Sequence, residues 1–364
     1  MLTEFFAGYV AAYQPYKNGG WCYEDGCIYR GLELLHRGSE QDRWLAELRR
    51  LLDQQVTASG ALLGYEPSDY NIDNILPGRA LLFMAAETGE ERYAIAADAI
   101  AAQLETHPRT RSGVYWHKLR YPWQIWLDGL YMAHPFQIEY GLTRGRPDLV
   151  ADSLRQISLA LDATFEPATG LYVHAYDEAR RQDWADPETG RSRAHWARAL
   201  GWLAMSLVDV ADLTGSQVFE PLAARSRALF DRLLDLRQPG GLWLQVIDQP
   251  ELTGNFPETS SSAMIAYALN KASALGLASP PDHLILDVLR ESLRPKPGGG
   301  VEMADICEVA GLGRYESRYR DGSPAYYLTE ARVSDDAKGV GPLMMCGAAL
   351  GAAQGMAISA RNAG

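Results

Sequence analysis

The stretch Glu40-Gln41-Asp42-Arg43-Trp44-Leu45-Ala46-Glu47-Leu48-Arg49-Arg50-Leu51-Leu52-Asp53-Gln54-Gln55-Val56 recurs to apolar residues at Trp44, Leu45, Leu48, Leu51 and Leu52. That spacing draws one apolar stripe along a helix and leaves the charged residues on the opposite face. A glycine turn and a short apolar run follow it, Gly60-Ala61-Leu62-Leu63-Gly64-Tyr65. The same punctuation returns at Gly113-Val114-Tyr115-Trp116, Gly170-Leu171-Tyr172-Val173, Gly241-Leu242-Trp243-Leu244 and Gly300-Val301-Glu302-Met303. An interval of roughly 50 to 70 residues suits one helical hairpin plus a loop. The periodicity predicts helices near residues 2–14, 26–37, 40–57, 74–88, 90–105, 129–143, 147–164, 195–214, 217–237, 259–276, 281–294 and 341–358, with short breaks such as Thr88-Gly89 and Thr214-Gly215 joining them in pairs.

About six hairpins without polar capping repeats point to closure rather than to an open solenoid. The expected fold is therefore all-α, an (α/α)6 barrel or toroid of six helical hairpins, with short strands in the loops at one mouth. No Pro- or Ser-rich linker divides the chain, so residues 1–364 read as one domain. The irregular region 299–338, with Gly311-Leu312-Gly313, Asp321-Gly322-Ser323-Pro324 and a strand-like Ala325-Tyr326-Tyr327-Leu328, reads as a long loop over the mouth or as a structural plug.

A hydrophobic share of 47% against 22% charged residues permits a large core. The net charge of −12 and the lack of a Lys/Arg run give no footprint for nucleic acid. No apolar stretch reaches the length of about 20 residues that spans a bilayer, and Glu4 stands where a secretory signal needs cations, so a cytoplasmic chain without a membrane partner is expected. Cys22, Cys27, Cys307 and Cys346 form neither a disulfide scaffold nor a metal-ligand set and read as buried thiols. Walker, GxGxxG, HExxH and GxSxG patterns are absent, which withdraws support from phosphoryl transfer, dinucleotide chemistry and serine hydrolysis.

What remains is a set of carboxylates, imidazoles and aromatic residues at loop-to-helix junctions. In Trp126-Leu127-Asp128-Gly129-Leu130-Tyr131-Met132-Ala133-His134-Pro135-Phe136, one carboxylate sits among aromatic residues at a helix entrance. An apolar surround disfavours its anion and suits an acid, while the same position suits a helix cap equally well. Asp73, in Tyr70-Asn71-Ile72-Asp73-Asn74, carries the same two readings. Tyr115-Trp116-His117-Lys118 joins stacking faces to cations, and His174-Ala175-Tyr176-Asp177-Glu178 adds another imidazole. Arg198 and Trp202 are four residues apart and share a helix face, where they form either a clamp for a carboxylated ring or an internal cation–π contact. Trp21-Cys22-Tyr23-Glu24-Asp25-Gly26 is expected to bring an aromatic to the same mouth.

Taken in order, Trp126-Leu127-Asp128-Gly129-Leu130-Tyr131-Met132, His174-Ala175-Tyr176-Asp177-Glu178, Trp184-Ala185-Asp186-Pro187, Trp196-Ala197-Arg198-Ala199-Leu200-Gly201-Trp202, Val309-Ala310-Gly311-Leu312-Gly313 and Lys338-Gly339-Val340-Gly341-Pro342 resemble glycoside hydrolase family 105, the unsaturated rhamnogalacturonyl hydrolases, nearly from end to end. The resemblance implies an (α/α)6 barrel that releases a 4-deoxy-4,5-unsaturated uronic acid from the non-reducing end of lyase-generated oligosaccharides. It does so by hydrating the C4=C5 vinyl ether, with no metal or organic cofactor. It further implies Asp128 as general acid and then base, Asp73 as the second active-site acid, and His117, Lys118, Trp126, His174, Arg198 and Trp202 as substrate-binding residues. Rhamnose is the implied neighbouring sugar, with unsaturated glucuronyl or galacturonyl substrates as the alternative. A sugar epimerase on a similar barrel would work through histidines, of which the chain has seven; a noncatalytic sugar-binding protein would keep the aromatic cleft and turn nothing over.

Overall fold

In this computed structural model, which describes residues 2–39, 41–296 and 298–362, apolar periodicity sorts the helices into two layers. Among the described residues twelve helices have nine residues or more: α1 (Leu2–Ala12), α2 (Tyr23–Ser39), α3 (Asp42–Leu52), α4 (Gly78–Thr88), α5 (Glu91–Thr106), α6 (Leu127–Thr143), α7 (Pro147–Thr164), α8 (Ala197–Thr214), α9 (Ser216–Asp235), α10 (Thr259–Ala274), α11 (Leu284–Ser292) and α12 (Ala337–Asn362). Odd-numbered helices are two-faced. In α3, Trp44, Leu48, Leu51 and Leu52 are buried while Arg43, Ala46 and Arg49 face water. Even-numbered helices are buried on most sides and sit inside: α8 is buried at every residue from Ala197 to Ala211, and α10 from Thr259 to Leu269.

The even helices pack side by side in chain order, and α12 returns to pack on α2, closing an (α/α)6 barrel. Close helix approach at the seam requires missing side chains. A Cβ on Gly341 would lie 2.4 Å from the Cys27 carbonyl oxygen, and one on Gly31 would lie 2.8 Å from Met344. The sixth hairpin is formed by the two ends of the chain, because Gly347 of α12 lies directly against Phe6 of α1.

Every glycine of the repeat has a positive φ: 83° at Gly60, 99° at Gly113, 71° at Gly170, 96° at Gly241 and 85° at Gly300. These turns end the odd helices and fold the chain back through small antiparallel pairings, Arg109 with Tyr115 and Phe165–Glu166 with Leu171–Tyr172 among them. The connections from odd to even helices therefore gather at one mouth, together with the N-termini of the six inner helices. Those N-termini turn their partial positive ends toward that mouth.

The region 299–338 folds over the mouth as antiparallel pairs, with Gly313–Tyr315 on Arg318–Arg320 and Ile306–Cys307 on Arg332–Val333. Its Leu312 packs with Trp126, Ala175 and Trp184. The strand-like 325–328 segment is instead a helical turn, Pro324–Tyr327. Ser323 starts it by accepting a hydrogen bond from the Tyr326 amide, and Pro324 has the fixed φ of a first helical residue. The last helix begins at Ala337, ahead of the expected position, because the Asp336 carboxylate accepts the Lys338 amide hydrogen at 2.8 Å. The expected 74–88 helix starts at Gly78, after a separate 3-10 turn over Ile72–Ile75.

Deeper in the barrel Asp209 of α8 joins three other inner helices. It pairs with Arg79 of α4 at 2.5 Å and Lys271 of α10 at 2.8 Å, accepts the Tyr267 hydroxyl at 2.8 Å, and faces Arg30 of α2 at 3.7 Å. These cations outweigh the penalty of burial and hold its carboxyl far below the ordinary range. All four cysteines are buried free thiols. No described helix is long and apolar enough to cross a membrane.

Candidate active site

Four loop segments at the mouth are stitched by backbone hydrogen bonds. The Ile72 amide donates to the His117 carbonyl at 3.2 Å, and the His117 amide donates to the Gln124 carbonyl at 3.0 Å. Gln124–Trp126 then pairs antiparallel with Ala175–Asp177, and the Leu127 amide reaches the His174 carbonyl at 3.0 Å. This ladder brings Asp73, His117, Lys118, Trp126, Asp128 and His174 together from positions scattered over a hundred residues.

Asp73 lies in the 3-10 turn, whose cap is Asn71: the Asn71 side chain accepts the Asp73 amide at 3.2 Å. The Asp73 carboxylate is therefore not spent on capping. Its Oδ2 is 2.5 Å from Lys118 Nζ and its Oδ1 3.6 Å from His117 Nε2. Burial alone would raise its pKa, but Lys118 and His117 outweigh burial and hold it low. His117 is pulled the other way: removal from water lowers it to about 4, so its ring is neutral at neutral pH despite Asp73 beside it.

Asp128 occupies the first turn of α6, whose cap position is Trp126. The capping reading falls for this carboxylate too. Its side chain is 16% exposed, and Oδ2 stands 3.2 Å from Nε2 of the fully buried His174. His174 Nδ1 lies 2.7 Å from the Tyr327 hydroxyl. Burial keeps the Tyr327 phenol well above its ordinary pKa, so it is an O–H against Nδ1. The hydroxyl anchors one edge of the ring while Nε2, on the other edge, faces the Asp128 carboxylate. Burial raises the Asp128 pKa, as an apolar surround should, yet the hydrogen bond and charge of His174 override it and the net direction is down. The sequence-based expectation of an acid kept protonated by tryptophans is thus corrected for the ligand-free protein. Both carboxylates are ionised at neutral pH.

Trp126 is the buried ring on which the two imidazoles converge. Its ring is stacked 4.6 Å from His117 and 4.9 Å from Tyr121, and meets His174 edge-on at 5.1 Å. Its indole N–H is held by the Gln124 side chain at 3.0 Å. Trp196 adds a face 4.8 Å from His174.

Arg198 and Trp202 are placed differently from the clamp their spacing suggests. The buried Arg198 guanidinium donates to the carbonyls of Cys307 and Glu308 and to the Ser260 hydroxyl, and it stands over Trp196, 4.8 Å from the ring centroid, rather than over Trp202. It ties the 306–308 strand to the N-terminus of α10, where Glu258 accepts the amides of Ser260 and Ser261. Trp202 is buried one turn deeper, stacked on Tyr131 at 5.3 Å.

Sequence reading passes over Tyr327, Tyr121 and Gln124. Only the Ser323-Pro324 start signal could have marked Tyr327 as fixed on a helical turn, and nothing local pairs it with His174. Tyr23, partly exposed, lies within electrostatic reach of both Asp73 and Arg198, which agrees with an aromatic from the 21–26 segment at the mouth. Among the described residues no group of three His, Cys, Asp or Glu side chains is arranged to hold a metal ion. Chemically the site offers two carboxylates within electrostatic reach of each other, one backed by a cation and one by an anchored imidazole.

The model of Glycosyl Hydrolase Family 88 matches residues 7–351. The chain is 50% identical to Protein Atu3128 of Agrobacterium fabrum over 224 residues, 59% of this chain and 96% of that protein. It is 28% identical to the unsaturated rhamnogalacturonyl hydrolase YesR of Bacillus subtilis over 265 residues, 70% of this chain and 72% of YesR. A solved glycoside hydrolase from family 105 of C. acetobutylicum superimposes with a TM-score of 0.88 at 32% identity, covering 95% of this chain and 98% of that one. An unsaturated glucuronyl hydrolase specific for heparin shares the fold at a TM-score of 0.69 and 14% identity, over 97% of this chain and 95% of its own.

Proposed function

Because the chain belongs to the Glycosyl Hydrolase Family 88 and family 105 group, and is therefore a glycoside hydrolase, we propose that it removes a 4,5-unsaturated uronic acid from lyase-generated oligosaccharides. The substrate we favour is the unsaturated rhamnogalacturonan disaccharide, in line with the name of the YesR relative. The observation that supports the reading is the Asp128, His174 and Tyr327 array standing within electrostatic reach of the Asp73 and Lys118 pair.

In this reading Asp128 protonates C4 of the vinyl ether, leaving positive charge at C5 shared with the ring oxygen. Water adds its oxygen to C5 and returns a proton to the Asp128 carboxylate. The hemiketal so formed opens, and the aglycone leaves as an alcohol. Asp128 begins ionised, so it must gain a proton as substrate binds; a uronate carboxylate arriving beside it adds negative charge and opposes its ionisation. Asp73, kept as an anion by Lys118, accepts hydrogen bonds from sugar hydroxyls beside the stacked His117, Trp126 and Tyr121 rings. We assign Arg198 and Trp202 positioning roles, through the 306–308 strand and through α6, in place of direct substrate contact. A chain that works late on short imported oligosaccharides would act in the cytoplasm.

The test is to incubate the protein and Asp128→Asn with the unsaturated disaccharide and follow the ultraviolet absorbance of the conjugated enoate. Loss of absorbance with the unmodified protein, slowed by about 10²-fold or more in the variant, is the expected result for a positioned general acid. Full activity in Asp128→Asn sinks the assignment. Turnover of unsaturated glucuronyl or galacturonyl disaccharides in place of the rhamnose-linked one would redirect the substrate and keep the chemistry.

A further inference from the structure

Beside Lys118 the mouth continues into an open groove of about 570 Å³ whose walls include Lys17, Asp69, Asn71, Lys118, Arg120 and Tyr315. The groove and the active site share a wall. Asn71 is bridged to Lys118, whose amine holds Asp73, and Tyr121, next to Arg120, lies parallel to Trp126. Tyr121 thus links the Trp126 side of the active site to Arg120.

The cations of this groove are not equivalent. Lys118 is neutralised by Asp73, and Lys17 faces Glu24 at 3.6 Å. Arg120 has no carboxylate partner among the described residues. Its polar contact is the Tyr121 hydroxyl at 2.8 Å, and its guanidinium lies 4.8 Å from the Tyr121 ring and 5.9 Å from that of Tyr315. Tyr315 belongs to the Gly313–Tyr315 and Arg318–Arg320 hairpin and has Arg320 at 4.4 Å from its ring. An exposed arginine ordinarily surrenders side-chain freedom to bind; one set against two aromatic rings has surrendered much of it in advance, and its planar fork fits a carboxylate with two parallel hydrogen bonds. Asp69, on the same groove, offers an acceptor for sugar hydroxyls.

We propose that Arg120, set between Tyr121 and Tyr315, forms an outer subsite for the carboxylate of a second, saturated uronic acid on the leaving-group side of the scissile bond. The proposal rests on the unsaturated uronyl hydrolase reading above. A lyase acting on an acidic polysaccharide supplies such molecules directly, because every product longer than one repeating unit carries an unsaturated uronate at one end and saturated uronates further along. The disaccharide is then the smallest substrate, and longer products of the same series gain a further contact.

Two readouts test it separately from the parent reading. In the first, kcat/KM is measured on the unsaturated rhamnogalacturonan disaccharide and tetrasaccharide for the unmodified protein, Arg120→Gln and Arg120→Lys. The tetrasaccharide-to-disaccharide ratio is expected to fall by about 3- to 10-fold in Arg120→Gln, to lie between the two in Arg120→Lys, and to shrink with salt in the unmodified protein and Arg120→Lys but not in Arg120→Gln. The second is calorimetric titration with a saturated rhamnogalacturonan tetrasaccharide, which needs no turnover; weaker binding by Arg120→Gln supports the subsite. Equal ratios and equal binding in the two proteins overturn it while leaving the hydrolase reading intact. Absence of turnover with every unsaturated uronide overturns the hydrolase reading, and the titration then decides the anion site by itself.

Discussion

Tyr327 and His174, more than a hundred residues apart in the chain, meet hydroxyl to Nδ1 at 2.7 Å. The contact anchors the imidazole whose other nitrogen, Nε2, faces the Asp128 carboxylate at 3.2 Å. In Tyr327→Phe the ring still fills its place against Trp196, 5.9 Å away, but Nδ1 loses its hydroxyl partner and the imidazole its anchor. We expect kcat to drop about 10- to 100-fold with little change in KM, the size typical of losing a group that orients a working histidine. Steady-state kinetics on an unsaturated disaccharide would show it, and a loss confined to KM would argue that Tyr327 touches substrate instead.

His174 also sets the sign of a pH effect. Burial pushes Asp128 up, and the hydrogen bond and charge from His174 bring it below its ordinary value. Since Asp128 is ionised in the free enzyme and must take up a proton before it can act, kcat/KM should decline as pH rises, with its maximum on the acid side. Removing the imidazole in His174→Ala leaves burial unopposed, so the basic limb of the profile should move to higher pH even as the maximal rate falls. A limb that stays in place would show that some other group controls the proton.

Lys118 makes a prediction about stability rather than rate. Asp73 is held low by Lys118, so the pair stabilises the fold above the unfolded carboxyl value of about 3.9 and the benefit is lost as pH falls through the folded value. Lys118→Met strands a buried carboxylate, at a cost of about 2 kcal/mol at neutral pH. The deficit should close as the medium is acidified and Asp73 takes up a proton in both proteins. Urea unfolding of the two proteins across a series from pH 7 to well below the ordinary carboxyl value of about 3.9 gives the comparison; a deficit independent of pH would point to lost packing of the lysine stem.

The barrel was legible in the sequence because its two signals are local: apolar stripes at helical spacing, and a glycine after each outer helix where φ must turn positive. Asp73, His117, Lys118, Trp126, Asp128 and His174 were legible through the family resemblance, and the ladder of loop hydrogen bonds brings them to one mouth. What escaped depended on distance through space. The charge state of Asp128 is set by an imidazole some 46 positions later in the chain, and Tyr327 sits on a turn whose alternating apolar look suggested a strand. Arg198 and Trp202 share a helix face as their spacing required, but the strand at 306–308 claims the guanidinium and Tyr131 claims the indole. Spacing along one helix says nothing about which neighbour arrives first.

Ring closure itself can be probed at the seam where the last inner helix meets the first. Gly341 approaches the Cys27 backbone so closely that a methyl group would sit 2.4 Å from the carbonyl oxygen, and backbone cannot yield as a side-chain tip can. Gly341→Ala should therefore lower unfolding free energy by about 2 kcal/mol or more through overpacking, even though alanine is the better helix former. Gly8, in α1, supplies the control: nothing lies within 4 Å of its would-be Cβ, and its φ is not positive. Gly8→Ala should stabilise by up to about 1 kcal/mol. Opposite signs in matched urea melts would locate the strain in helix contact at the seam. The same sign in both would mean that propensity outweighs packing there, and that α2 and α12 can part without loss.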